Sequence, residues 1–286
     1  MVDLAEKTEQ LRRIVQNAHS DPIANAMIRR LVVGILAFLG VSPKDIDSFI
    51  AVWLEPAIDF GDITEQERSM REALEKRGAF SHLGEAMRLR AEAWYRQLGE
   101  YVEPGTLLDL GGGSGELAWM MYNHINCIQP NSGTVTIADA LDWRKEKING
   151  IPFLSVKENK IAADDKSFDT VMAVTVFHHS DDPASLVQEA FRVAKKRVVF
   201  IESVTEDLLM YQYGSWIDWF YNRVIHFNPD PAKKINVPCH FMPSTGWEQL
   251  VWHLTGLKPT QPQTQNLGIF QFLNPENHYR FVYDKK

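Results

Sequence analysis

The 286-residue chain is short of several things, and each shortage argues against a class of protein. It has two cysteines, Cys127 and Cys239, far apart and without a Cys-x-x-Cys pair or a Cys/His cluster around them. Plain thiols, as in a reducing cytosol, are expected there, not a disulfide or zinc ligands. Cations are in deficit, with 30 Lys and Arg against 37 Asp and Glu, a formal charge of −7. A nucleic-acid backbone needs clustered cations, so that partner is not expected. Long hydrophobic runs are missing as well. The most apolar stretch, LVVGILAFLG from Leu31, spans about ten residues, half of a bilayer crossing. It reads as a buried helix, with a peripheral membrane contact aided by Arg29 and Arg30 as the lesser alternative and no stable insertion. The opening MVDLAEKTEQLRR is charged and has no apolar core. No signal peptide is expected, and the expected location is cytoplasmic.

What is present begins with helices. Residues 1–100 read as helical throughout, an N-terminal region suited to a cap or a homodimer contact. Asp21-Pro22 and Ser42-Pro43, the latter with Asp45, supply cap and first-turn pairs. Thr64 and Glu67 have capping-box spacing, and Gly78 is placed to stop that helix. Leu83, Met87, Ala91, Trp94 and Leu98 form one apolar stripe.

From Thr106 the pattern changes to short apolar runs alternating with amphipathic segments. Strands are expected at 106–110, 134–138, 152–156, 168–175, 197–202 and 278–283, and helices near 115–125, 141–148 and 183–195. That alternation predicts an α/β domain over 101–286 with a mostly parallel sheet covered on both faces. Asp182-Pro183 is a further cap pair. Residues 204–243 break the rhythm with the aromatic run YQYGSWIDWFYNRVIHF and a turn-rich tail. They read equally well as a packed surface helix or a ligand lid. At Thr245 regular structure resumes, with Glu248 at capping-box spacing.

The stretch LLDLGGGSGELA, residues 107–118, places a glycine loop between a strand and a helix. Glycines there admit positive φ and let backbone N–H groups approach a ligand. No lysine follows, so it is not a P-loop. A dinucleotide loop, G-x-G-x-x-G, would need glycine at position 116, which is Glu116. The spacing is instead an acid, Asp109, followed by Gly111-x-Gly113-x-Gly115. VTIADA ends a second strand with Asp139, where an acid can accept both hydroxyls of a ribose.

With these pieces, Ser167-Phe168-Asp169, Phe177-His178-His179 and Glu189-x-x-Arg192-Val193 follow in order. The set resembles the class I S-adenosylmethionine-dependent methyltransferases, in particular the type-11 pattern of ubiquinone, menaquinone and natural-product biosynthesis. The resemblance covers about 100–202, and more loosely 237–286. It implies a Rossmann-like fold with a mostly parallel seven-stranded sheet, helices on both faces, and the N-terminal helices as an extension.

The resemblance further implies S-adenosyl-L-methionine as cofactor. Asp109 and the backbone of Gly111, Gly113 and Gly115 would hold its methionine portion, Asp139 its ribose, with Ala140 and Val176 alongside. The family's adenine-reading acid or amide falls on Lys157; either its neighbour Glu158 takes over or a backbone group does. His178 and His179 are candidate bases, being tunable near neutral pH, and His240 is a third. A structural role is the alternative for each, and no metal-ligand spacing accompanies them. Arg88 and Arg90 could reach the cofactor carboxylate, although solvated or paired roles suit them too. Trp216, Trp219, Phe220 and Tyr221 are the candidate acceptor contacts, with core packing as the alternative. The stretch VTVFHH stands where amino-directed DNA and protein enzymes of this fold carry Asn/Asp-Pro-Pro-aromatic. A small hydrophobic or aromatic acceptor, methylated on oxygen or carbon, is therefore expected. The rival expectations are a cofactor-binding enzyme that rearranges without methylating, and a non-enzymatic binding protein on the same fold.

Overall fold

The computed structural model describes residues 4–55, 58–130, 133–144, 148, 150–230, 233–261, 264–265 and 277–285. Among them the chain divides into two compact units. One is a helical unit, from the residues up to Met87 and Thr205–Phe241; the other is a sheet unit, from Arg88–Val204 and most of the chain from Met242 onward.

The helical unit contains α1 (Leu4–Ser20), α2 (Pro22–Phe38), α3 (Pro43–Trp53) and α4 (Ile63–Lys76). Asp21 caps α2 by accepting from the N–H groups of Ile23 and Ala24 at 2.9 Å each. Ser42 caps α3 through the Asp45 N–H at 3.2 Å. The Leu31 run lies inside α2, with Leu31, Val32, Ile35 and Leu36 buried. No helix among the described residues is long and apolar enough to cross a membrane.

The cap expected at Thr64 is displaced. Asp62 accepts from the N–H groups of Thr64 and Glu65 at 3.0 and 3.1 Å, which puts Thr64 inside the first turn of α4. Glu67 is then free of capping duty and fully buried. It receives Trp219 Nε1–H at 3.1 Å, Lys234 Nζ at 3.0 Å and Arg223 Nη2–H at 3.2 Å. Gly78, at φ +72°, ends α4 as expected: its N–H bonds the Glu75 carbonyl, and Ala79 N–H bonds that of Leu74.

The aromatic insert supplies α8 (Leu208–Trp219), capped by Asp207, and a π-helical turn over Phe220–Ile225. Helices α1 and α2 both pack on α8. Helix α5 (Leu83–Leu98) runs across the division between the units, and its Trp94 and Leu98 join the core of the sheet unit.

The sheet unit contains β1 (Thr106–Leu110), β2 (Thr134–Asp139), β3 (Phe153–Lys157), β4 (Lys160–Ile161), β5 (Phe168–Val174), β6 (Ala194–Ser203), β7 (Thr264–Gln265) and β8 (His278–Asp284). Their order is β4-β3-β2-β1-β5-β6-β8-β7. Strands β3, β2, β1, β5 and β6 run parallel, and β8 lies antiparallel to β6. Seven strands make the expected mixed, mostly parallel sheet. The two-residue β4 adds an edge by a hairpin whose turn residues, Glu158 and Asn159, both have positive φ.

The two faces follow the strand period of two. Leu108, Leu110, Val171, Ala173, Val198 and Phe200 face α7 (Pro183–Val193) and α9 (Ser244–Thr255). Leu107, Val135, Ile137, Met172, Val199 and Ile201 face α5 and α6 (Glu116–Ile128). Asp182 caps α7 through Ser185 N–H at 3.0 Å. Helix α7 stops at Val193, because the chain enters β6 at Ala194. Helix α9 starts at Ser244 after Pro243 with no side-chain cap, so Thr245 lies within its first turn and does not cap it. The helix expected at 141–148 is not formed over 141–144; positions 145–147 lie outside the described residues.

Candidate functional site

The carboxyl ends of β2, β1 and β5 lie side by side in register, Ala138 with Leu110 and Leu110 with Ala173. In open parallel sheets ligands bind beyond such ends. The glycine loop leaves β1 here. Gly111, Gly113 and Gly115 have φ of +70°, +51° and +83°, the left-handed region that glycine enters without strain. Gly111 N–H bonds the Ala138 carbonyl at 2.7 Å, which ties the loop to β2. Gly115 begins α6, and Glu116 in its first turn accepts from the Ser114 hydroxyl.

Asp109 points its carboxyl under this loop. It is 2% exposed, and its Oδ2 has no hydrogen-bond partner. Burial, and then the neighbouring Asp139 carboxylate, push Asp109 up to about 8. Asp139 is better served: its oxygens accept from Gly113 N–H at 3.1 Å and Ala140 N–H at 2.7 Å. Burial still raises it above the usual carboxylate range, against the opposing pull of those backbone donors.

At the end of β5, Thr175 takes φ +54°, a strained setting for a β-branched residue. The chain then turns through Val176 into the short helix Phe177–His179. Val176 lies against Gly111, whose missing side chain makes the room. His178 is buried and its Nδ1 meets Glu202 Oε2 at 2.5 Å; His179 is half-buried, with ring centroids 4.2 Å apart.

The sheet unit thus brings together Asp109, the three glycines, Asp139, Ala140 and Val176, with His178 and His179 on the same edge. Glu158 is an exposed turn residue at the β3–β4 hairpin. Arg88 is exposed and pairs with Glu92. His240 and the four aromatics belong to the helical unit. There Trp216, Trp219 and Phe220 are fully buried, Trp216 stacking on Phe220 at 5.1 Å and meeting Trp219 edge-on at 5.4 Å. Tyr221 and His240 are half-buried. Glu202 escaped the sequence reading. Its one signal is an acid closing the apolar run VVFIE.

A family model for a methyltransferase domain matches residues 83–261. The chain belongs to that family of class I methyltransferases. No curated protein matches. Among solved structures, it is similar to a putative methyltransferase of Haloferax volcanii held in complex with a methyltransferase activator, at 16% identity and TM-score 0.50, over 72% of this chain and 96% of that one. A possible histamine N-methyltransferase of Thermotoga maritima gives 16% identity and TM-score 0.49, over 72% and 97%. A SAM-dependent methyltransferase of Aquifex aeolicus gives 16% and 0.47, over 77% and 97%. S-adenosylmethionine is the methyl donor of this class. The residues present fit it: an unpartnered buried carboxyl oxygen, glycines where a β-carbon would close the loop, and an acid at the end of β2.

Proposed function

We propose that the protein transfers a methyl group from S-adenosyl-L-methionine to a small hydrophobic or aromatic acceptor, on oxygen or carbon. The observation that carries the donor half is Asp109, whose buried Oδ2 has no hydrogen-bond partner beneath three positive-φ glycines. A cationic cofactor supplies what that group lacks. Asp109 and the loop backbone would hold the methionine portion, and Asp139, held in place by backbone donors that include Gly113 and Ala140 N–H, the ribose diol. Ala140 and Val176 would line the cofactor. The bound cofactor supplies an electrophilic methyl on a leaving group that departs neutral, so positioning carries much of the rate.

The acceptor half is supported by the net charge of −7 and by VTVFHH at the end of β5, which has no Asn/Asp-Pro-Pro-aromatic element. His178 and His179 are the proposed proton acceptors, with His240 a third candidate. Tyr221 is the most open of the four aromatics proposed for acceptor contact. Calorimetry with S-adenosylmethionine and S-adenosylhomocysteine tests the donor. Binding of both is expected, and binding of NAD with neither would overturn the reading. Methyl transfer from labelled cofactor to a panel of phenols and hydrophobic hydroxy acids tests the acceptor class.

A further inference from the structure

We propose that Asn159 is a positioning residue for the cofactor's base: it ties the tip of the β3–β4 hairpin to the start of α7 and so fixes one wall of the adenine pocket. The inference rests on the methyltransferase reading above. Along the carboxyl edge the strand order is β3, β2, β1. The methionine portion belongs to the glycine loop after β1, and the ribose to Asp139, the last residue of β2. The base leaves the ribose opposite the methionine chain, so it falls toward the end of β3.

The hairpin there has a two-residue turn. Lys157 pairs with Lys160 around Glu158 and Asn159, at φ +49° and +60°. Asparagine enters that left-handed region more readily than most residues, and the turn by itself asks nothing more of it. Asn159 nonetheless makes two side-chain bonds to a distant segment. Its Oδ1 accepts from the Ser180 hydroxyl at 2.9 Å, and its Nδ2 donates to the Asp182 carbonyl at 3.3 Å. The Ser180 hydroxyl in turn accepts from the N–H of Asp182, the cap of α7, at 3.0 Å. Ser180 N–H bonds the Phe177 carbonyl at 3.0 Å and closes the short helix that follows Val176. One amide therefore joins the hairpin tip to the frame that carries Val176 against the glycine loop. The hairpin stem has an anchor of its own, Ile161 N–H to Glu189 Oε2 at 3.1 Å, which leaves the tip to Asn159.

The tie can be removed without the turn. Glycine adopts the same φ without strain, so Asn159→Gly keeps the hairpin and loses both side-chain bonds. The probes are S-adenosylhomocysteine and S-inosylhomocysteine, which differ in the base alone, each titrated by calorimetry. The wild type is expected to prefer the adenine form. Asn159→Gly should bind S-adenosylhomocysteine about tenfold more weakly, with the inosyl affinity little changed and a near wild-type thermal midpoint. Asn159→Asp tolerates the same φ and still accepts from Ser180, so it should recover part of the preference. Ser180→Ala breaks the tie from the other side, and added to Asn159→Gly it should change the preference little further. A merely structural bond would weaken both ligands alike. An equal loss for both, an unchanged adenine affinity in Asn159→Gly, or a wild type that takes both bases alike overturns the inference. Should Asn159→Gly not fold, the preference is measured on Ser180→Ala with the same outcomes. A wild type that binds neither S-adenosylhomocysteine nor S-adenosylmethionine fails the methyltransferase reading and the inference together. A wild type that binds them, with a preference that survives in the variants, fails the inference alone.

Discussion

Val176 sits so close to Gly111 that a β-carbon at position 111 would lie 2.3 Å from Val176 Cγ2. Together with φ +70°, this leaves glycine the one residue without strain there. Gly111→Ala is expected to destabilise by about 1–3 kcal/mol and to weaken S-adenosylhomocysteine binding about tenfold or more. Adding Val176→Ala should recover the packing part of the loss and leave the backbone part. Urea unfolding and calorimetry on the two single variants and the double variant separate the contributions.

The raised Asp109 couples stability to pH. Its folded value of about 8 lies above the ordinary aspartate value of 3.8, so the folded protein keeps a proton that the unfolded chain gives up. The cost of folding therefore grows as pH rises from about 4 to about 8 and is constant above. Asp109→Asn carries no such dependence. The gap between variant and wild type in urea unfolding is expected to move in the variant's favour between pH 5 and 8, by on the order of a few kcal/mol.

On the proposed function, the same group is expected to make cofactor uptake proton-linked. A sulfonium and an ammonium favour the ionised carboxyl, so binding near pH 7 expels a proton. The apparent binding enthalpy of S-adenosylmethionine should then vary with the ionisation enthalpy of the buffer in the wild type. In Asp109→Asn it should not.

Glu67 is the buried counterion of the helical unit. Arg223 and Lys234, each with a side chain 14% exposed, lose their common partner in Glu67→Ala. The expected loss is about 3–5 kcal/mol. Arg68→Ala, which breaks an exposed pair with Glu65, should change stability by under about 0.5 kcal/mol. Tryptophan-fluorescence unfolding curves compare them, since Trp219 bonds Glu67 directly.

Glu189 gives an acid limb. Arg192 first, with Ile161 N–H and Lys160, holds it down at about 2 against 4.5. Its stabilisation is full above about pH 4.5 and lost as pH falls toward 2. Glu189→Gln should cost about 1–2 kcal/mol at pH 7, and the gap should close in acid unfolding curves.

Legibility in the sequence followed range. The strands announced themselves through their period, and Asp21, Ser42 and Asp182 through a cap residue beside a proline. The glycine loop is readable because its positive-φ positions lie within five consecutive residues. Thr64 misled because Asp62, two residues earlier, caps more strongly and shifts the whole helix start. The partners of Glu67 lie more than 150 positions away, and no local pattern encodes them. Strands β4 and β7, two residues each, are too short to show a period. Glu202 was missed for the same reason as Glu67: its partners sit on another strand's end, joined to it only by the sheet.

The shared packing of α1, α2 and α8 also sets a timetable for biosynthesis. The apolar faces of α1 and α2, with Val15, Ile28, Val32 and Leu36 wholly covered in the finished fold, emerge in translation well before α8. The helix they pack on ends at Trp219, 181 residues after Phe38. At roughly 5–20 residues per second, those faces wait about 10–40 seconds for their partner. Nascent chains arrested before residue 208 should therefore engage chaperones at these two helices, and chains arrested well past α8 should have shed them.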